Sequence, residues 1–394
     1  MDPRLNPFSP GAGSPPPELS GRDPLLERIA IALDRIRAGR GARSVIMYGL
    51  RGVGKTVLLG QARADAEARG IAAVRIEAPE DRSLPAILAP ALRTALLRLD
   101  RTAAVAQGVK RALKALAGFA TRLKVSYSDI ELSLDQTPEP GLADSGDLDI
   151  DLADLLVAVG TAAKERETAI VLFVDELQYV PEAQLAALIS ALHATAQAQL
   201  PVTMVAAGLP QLLGRMGRAK SYAERLFEFV PLGPLDAAAA AAALVVPIER
   251  EGALIDAVAV AQIVAETQGY PYFLQEWGKH SWDVAGGSPI GAADVELASV
   301  VALADLDASF FRVRFDRLTP AEKRYLRAMA ELGAGPHRSG DIAAVLERNV
   351  TQLAPTRNAL ILKGMIYSPG HGDTAFTVPL FDQFMRRVTP VLAS

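Results

Sequence analysis

The chain has 394 residues, half of them hydrophobic, with 41 basic and 45 acidic side chains and a net charge of −4. That length suits two or three domains. The near-balanced charge excludes a protein that coats nucleic acid through a global basic excess, and the absence of cysteine excludes disulfides and thiolate metal sites.

Residues 1–20 are rich in Pro, Gly and Ser and read as a disordered tail. Met1 to Pro17 lacks the apolar run of a signal peptide. Asp23 suits a helix N-cap and Pro24 its first turn. Leu25, Ile29, Leu33 and Ile36 then recur at helical spacing up to Gly39. Val45 to Tyr48 reads as a buried strand. Gly49-Leu50-Arg51-Gly52-Val53-Gly54-Lys55-Thr56 follows and fits the pattern Gly, four residues, Gly-Lys-Ser/Thr. Val57 opens a helical pattern that runs to Arg69 and ends at Gly70. In this strand–loop–helix setting, glycines let successive N–H groups point inward, and the helix N-terminus adds partial positive charge. Lys55 would reach the β- and γ-phosphates of a nucleotide, and the Thr56 hydroxyl would ligate Mg²⁺.

Ile71 to Glu77 is a second strand. Helices are expected over 84–99 and 102–123, a hairpin strand over 125–134 and an acidic loop over 136–151. Residues 100–150 thus read as an insertion, whose basic face at 110–124 is either solvated or a partner contact. Leu152 to Arg166 is helical. Ala169 to Val174 is uninterruptedly apolar, as a strand covered on both faces would be. Asp175 and Glu176 close it. They suit a Mg²⁺ ligand acting through water and a group that polarises attacking water, or else they cap the next helix. A helix over 181–199 and strands over 202–207 and 226–230 complete an alternation that argues a parallel sheet with its chemistry at the strand C-termini.

Asp236 to Ile290 is helical and alanine-rich. Its apolar run at 237–246 is too short to span a bilayer. Gly269-Tyr270-Pro271 opens a helix there, near a base or simply as a helix start. Phe310-Phe311-Arg312-Val313-Arg314 would stack on bases or pack inward as a linker. Thr319-Pro320-Ala321-Glu322 is a capping box opening a helix to Leu332. Helices over 339–346 and 351–363 follow, with Arg357, Asn358 and Lys363 on offer. Strands over 364–368 and 374–378 then give the order of a winged helix-turn-helix. From 316 onward ten Lys and Arg face seven Asp and Glu, a mild basic excess. His193, His280, His337 and His371 show no ligand spacing, so no histidine metal site is expected.

Together these stretches resemble the AAA+ ATPases of the Orc1/Cdc6-like and STAND groups. Gly49 to Thr56 is similar to their Walker A motif, and Val171 to Gln178 to Walker B. Gly21-Arg22-Asp23 looks like their adenine-side box, Gly269-Tyr270-Pro271 their lid motif, and 318–384 their winged helix. The resemblance implies an α/β P-loop NTPase core over 21–235 with a parallel sheet in 5-1-4-3-2 order, a helical lid over 236–315 and a winged helix over 316–394. It implies ATP or ADP with Mg²⁺, held by Gly49, Leu50, Arg51, Gly52, Val53, Gly54, Lys55, Thr56, Val57, Arg22 and Pro271. Thr56 and Asp175 would serve the metal, Lys55 and Glu176 the reaction, and Arg225 a finger role.

Departures are visible too. The fourth strand ends in Ala206-Ala207-Gly208 without a polar sensor, flanked by Thr203 and Gln211, and the lid shows no obvious sensor arginine after Gly269-Tyr270-Pro271. A slow nucleotide-dependent switch fits better than a motor. Its winged helix would contact double-stranded DNA or a protein partner, with self-association open and a cytoplasmic, membrane-free setting expected. The alternative is a non-catalytic ATP/ADP-binding regulator whose winged helix binds protein.

Overall fold

The computed structural model describes residues 1–11, 13–78, 82–100, 107–123, 137–370 and 372–391. The first half runs α1 (Asp23–Arg37), β1 (Ser44–Gly49), α2 (Lys55–Ala68), β2 (Ala72–Glu77), α3 (Leu84–Asp100), α4 (Gln107–Arg122), α5 (Leu148–Glu165), β3 (Ile170–Asp175), α6 (Glu182–Gln197), β4 (Val202–Gly208), α7 (Leu212–Ala219), α8 (Ala223–Leu226) and β5 (Phe227–Leu232). The five strands form one sheet in the order β2-β3-β4-β1-β5, every pair parallel. Read from the other edge, this is the expected 5-1-4-3-2 order.

Strand alternation builds the layers. Ile46, Ile170, Leu172 and Val174 point into a core shared with α3 to α6, while Val45, Met47, Val171 and Phe173 point into a second core under α1 and α2. β3 is buried at all six positions, which is why its sequence shows no polar alternation. Tyr48 pairs with Gly208, and Val174 with Ala206, so the C-terminal ends of β1, β4 and β3 align. The loop after β1 therefore lies beside the acids that end β3.

The expected insertion is in part no appendage: Val109, Ala112, Leu116 and Phe119 of α4 join the larger core. The hairpin strand expected over 125–134 lies outside the described residues. Residues 1–11 and 13–20 correct the reading of a disordered tail. Phe8, 3 % exposed, seats against Gly278, and Trp282 Nε1 donates to the Asp2 carbonyl at 2.9 Å. Asn6 Nδ2 donates to the Lys279 carbonyl at 3.0 Å, and Arg250 Nη1 to the Pro17 carbonyl at 3.0 Å. Proline richness signals a stiff backbone as readily as a loose one, and a single aromatic anchor suffices to dock it.

The second half consists of α9 (Ala237–Arg250), α10 (Ala257–Thr267), α11 (Pro271–Val284), α12 (Ala292–Leu306), a π-turn at Asp307–Phe311 and α13 (Arg312–Asp316). It ends with α14 (Pro320–Leu332), β6 (His337–Arg338), α15 (Ser339–Val345), α16 (Val350–Leu362), β7 (Ile366–Tyr367), β8 (Asp373–Phe376) and α17 (Phe381–Val388). β6, β8 and β7 form a small antiparallel sheet. β6 was not expected, since two residues carry no period. One apolar core joins the two groups of helices: Phe273, Phe311 and Phe381 share it, and Phe311 stacks on Phe384 with ring centroids 5.2 Å apart. Phe310 and Phe311 thus pack inward.

Candidate nucleotide-binding site

The loop between β1 and α2 has the backbone that its glycines allow. Gly52 and Gly54 take φ of +82° and +89°, left-handed values that cost other residues energy. At Gly49 an added Cβ would stand 2.1 Å from the Leu232 carbonyl oxygen, so β1 can approach β5 only through glycine. Lys55 opens α2 yet is only 7 % exposed. Its Nζ donates to the carbonyls of Gly49 at 2.9 Å and Leu50 at 2.8 Å. Burial pulls its pKa down to about 8; Glu176 works against that and Arg51 with it.

Across the cleft, Thr56 Oγ1 donates to Asp175 Oδ2 at 2.7 Å, and the Glu176 N–H donates to Asp175 Oδ1 at 2.9 Å. Burial raises the pKa of the Asp175 carboxyl, with the Thr56 hydrogen bond opposing. Glu176 takes φ +52°, which turns it out of the strand direction and into the cleft wall. There Gln178 Nε2 donates to its Oε2, and Arg51 Nη1 lies 3.9 Å from its Oε1. Gln178 also accepts the Leu209 N–H on Oε1 at 2.9 Å, tying the end of β3 to the end of β4. The helix-capping alternative is not seen: α6 starts after Pro181, and the turn at Leu177–Tyr179 has no side-chain cap from Glu176.

The expected residues of the other walls divide. Gly52, Val53, Gly54, Thr56, Val57, Arg22 and Pro271 line the cleft with Arg51 and Lys55. Arg22 Nη2 is spent on the Gly233 carbonyl at 2.6 Å. The Tyr272 N–H donates to the Gly52 carbonyl at 3.1 Å, seating α11 directly on the loop. Thr203 bonds Ser44 at 3.0 Å inside the sheet. Arg225 is exposed in α8 beside the start of β5 and is not brought to this cleft.

Two features escaped sequence reading. Arg314 lines the cleft from α13, its Cζ 4.0 Å from the centre of the Phe310 ring. Burial lowers its pKa to about 10, helped by the positive charge of Arg51. The run 310–314 stood out in the sequence only for stacking on bases or packing as a linker, because its place at this cleft depends on an element 42 positions beyond Tyr272. The second is the N-terminal segment, whose Ser9, Gly13 and Ser14 close one side of the cleft. The C-terminal region also reaches the loop: the Arg51 N–H donates to the Thr377 carbonyl at 3.0 Å, while Arg51 Nη2 donates to Tyr179 Oη at 2.9 Å.

Thr56 and Asp175 are hard oxygen donors at one point, the set that Mg²⁺ accepts when phosphate and water oxygens complete its shell. Among the described residues no three His, Cys, Asp or Glu side chains cluster as a self-sufficient metal site.

A cleft at the C-terminal ends of a parallel sheet, floored by this loop, defines a P-loop nucleotide-binding protein. Residues 18–205 match the family model described as AAA ATPase domain, and residues 308–385 one described as a domain of unknown function (DUF8462). Over residues 18–205 the chain therefore matches an AAA-type P-loop ATPase domain. Among solved structures it is similar to a Walker-type ATPase of Pyrococcus abyssi (16 % identity, 97 % of this chain and 99 % of that chain, TM-score 0.59). Weaker likenesses are to Aeropyrum pernix Orc1 in complex with DNA (16 % identity, 95 % and 94 %, TM-score 0.45) and to the Thermotoga maritima RuvB Holliday junction branch migration motor (15 % identity, 94 % and 95 %, TM-score 0.45). No curated protein matches the chain. Among the described residues no helix is long and apolar enough to cross a membrane.

Proposed function

We propose that the chain binds ATP with Mg²⁺ and hydrolyses it slowly, as a switch that couples nucleotide state to its C-terminal region. The observation that carries this reading is the 2.7 Å contact between Thr56 and Asp175, with Lys55 on the same loop. Lys55 would exchange its two carbonyl partners for β- and γ-phosphate oxygens, and Arg51 and Arg314 would add positive charge at the same end. Thr56 and Asp175 would hold the metal, which, when bound, neutralises phosphate charge. Glu176 would orient the attacking water and take its proton. Arg225, exposed in α8, could serve as a finger only in a neighbouring copy's site.

Slow turnover is favoured by two details. β4 ends in Ala206, Ala207 and Gly208, which offer no polar side chain to a γ-phosphate, and Glu176 is already engaged by Gln178 and Arg51. The shared apolar core makes lid and C-terminal region one unit that would move together against the sheet. We read α14 to β8 as a winged helix. Arg357 of α16 is committed to Thr374 Oγ1 at 2.9 Å and Lys363 to Glu322 at 2.7 Å. That favours a protein partner over double-stranded DNA in a cytoplasmic setting. A DNA filter-binding titration across salt checks this: no retention at low salt is expected, and retention that falls steeply with salt would contradict it.

Phosphate release with the nucleotide-binding assay tests the whole. Lys55→Ala should abolish both. Glu176→Gln should keep ATP binding and lose about a hundredfold or more of turnover. ATP binding without any turnover in the unmodified chain would favour the non-catalytic regulator, and full ATP binding by Lys55→Ala would contradict both readings.

A further inference from the structure

The N-terminal segment is held at two places and crosses the cleft between them. On one side Phe8 is buried against Gly278 of α11, and Asn6 Nδ2 donates to Asp283 Oδ1 at 2.8 Å. On the other, Arg250 of α9 donates to the Pro17 carbonyl at 3.0 Å and to Glu18 Oε2 at 2.7 Å. α9 and α11 share one core, so both anchors rest on the same body. Between them Ser9, Gly11, Gly13 and Ser14 are exposed, yet they line the cleft. Among the described residues, no hydrogen bond ties 9–11 or 13–16 to either wall. The middle still reaches the phosphate loop: an added Cβ at Gly13 would stand 3.4 Å from Thr56 Cγ2. Gly13 takes φ +74°, a bend that other residues reach only at a cost. Pro10, Pro15 and Pro16 stiffen the arms on either side of that bend.

We propose that residues 9–11 and 13–16 belong to a strap that must lift for nucleotide to enter or leave, and that its opening sets the rate of exchange. This rests on the nucleotide reading above, which places phosphate and metal at Thr56. A segment pinned at its ends, with no polar ties in its middle, opens by breaking few contacts. Its contact with Thr56 puts the closed strap at the phosphate end of the cleft, the end a departing nucleotide must clear. The anchors on α9 and α11 lie away from the phosphate loop. Weakening them therefore eases opening in the empty and the filled protein alike. Entry and exit then quicken by the same factor, and their ratio, the affinity, stays as it was.

Stopped-flow mixing of the full chain with Mg²⁺ and ADP carrying a fluorophore on its ribose, followed by a chase with unlabelled ADP, reads both rates. Gly13→Ala, which strains the closed bend, should raise association and dissociation together by about fivefold or more. Arg250→Ala, which frees one anchor at an exposed site, should raise both by about twofold. The double variant should exceed either, with the ratio of the two rates unchanged throughout. Unchanged rates in Gly13→Ala and in the double variant would make the segment a passive wall and overturn the inference. Faster dissociation with association as before would make it a ligand contact rather than a gate, and would overturn it too. Failure of ATP and ADP alike to bind the unmodified chain would bring down the nucleotide reading, and this inference with it.

Discussion

Lys55 is a buried ammonium whose described hydrogen bonds go to two carbonyls, and its pKa of about 8 records the cost. The ordinary value is 10.5, so between about pH 8 and 10.5 the unfolded chain binds more protons at this position than the folded one. Stability of the nucleotide-free protein from this group should therefore rise across that window. A triphosphate beside Nζ favours the ammonium and raises its pKa again. Binding near pH 8.5 should accordingly take up part of a proton, and ATP affinity should fall as pH climbs above 8. Calorimetric titration in two buffers of different ionisation heat measures the uptake, which should vanish near pH 6, where Lys55 is protonated with or without ligand. Equal apparent heats in both buffers would mean that Lys55 does not face the phosphates.

Most of the elements and the heart of the cleft were legible because their signals are local. A fixed spacing of Gly, Lys and Thr, an unbroken apolar run ending in Asp175-Glu176, and a capping box at Thr319 each carry their own physics within a few residues. The place of Arg314, Ser9, Gly13 and Ser14 at the cleft was not legible, since it comes only from the elements opposite them. The tail failed for a related reason: Phe8 is a lone aromatic whose partner, Gly278, lies far along the chain. If the tail is an integral part of the lid core, Phe8→Ala should lower its unfolding free energy by about 3 kcal/mol. Denaturant unfolding followed by Trp282 fluorescence checks this. An unchanged midpoint would make the tail a passive passenger.

At the scale of the molecule, three parts converge on one cleft. The sheet supplies the loop and the acidic pair, the helices that follow β5 supply α11, and the C-terminal region supplies the carbonyl of Thr377 to Arg51. Because α9 to α12 and the C-terminal region share a core, a ligand that repositions the 49–56 loop should be felt at β7 and β8. Hydrogen exchange of residues 364–377 should differ between ATP and ADP if the switch reading holds, and identical exchange in both states would contradict it. The account depends above all on loop and acidic pair gripping one nucleotide. Titrating ATP with and without Mg²⁺ into the unmodified chain and into Asp175→Asn tests that directly. Mg²⁺ should tighten ATP binding in the unmodified chain, and Asp175→Asn should lose that gain while keeping its Mg²⁺-free affinity. An equal gain from Mg²⁺ in both proteins would contradict the account.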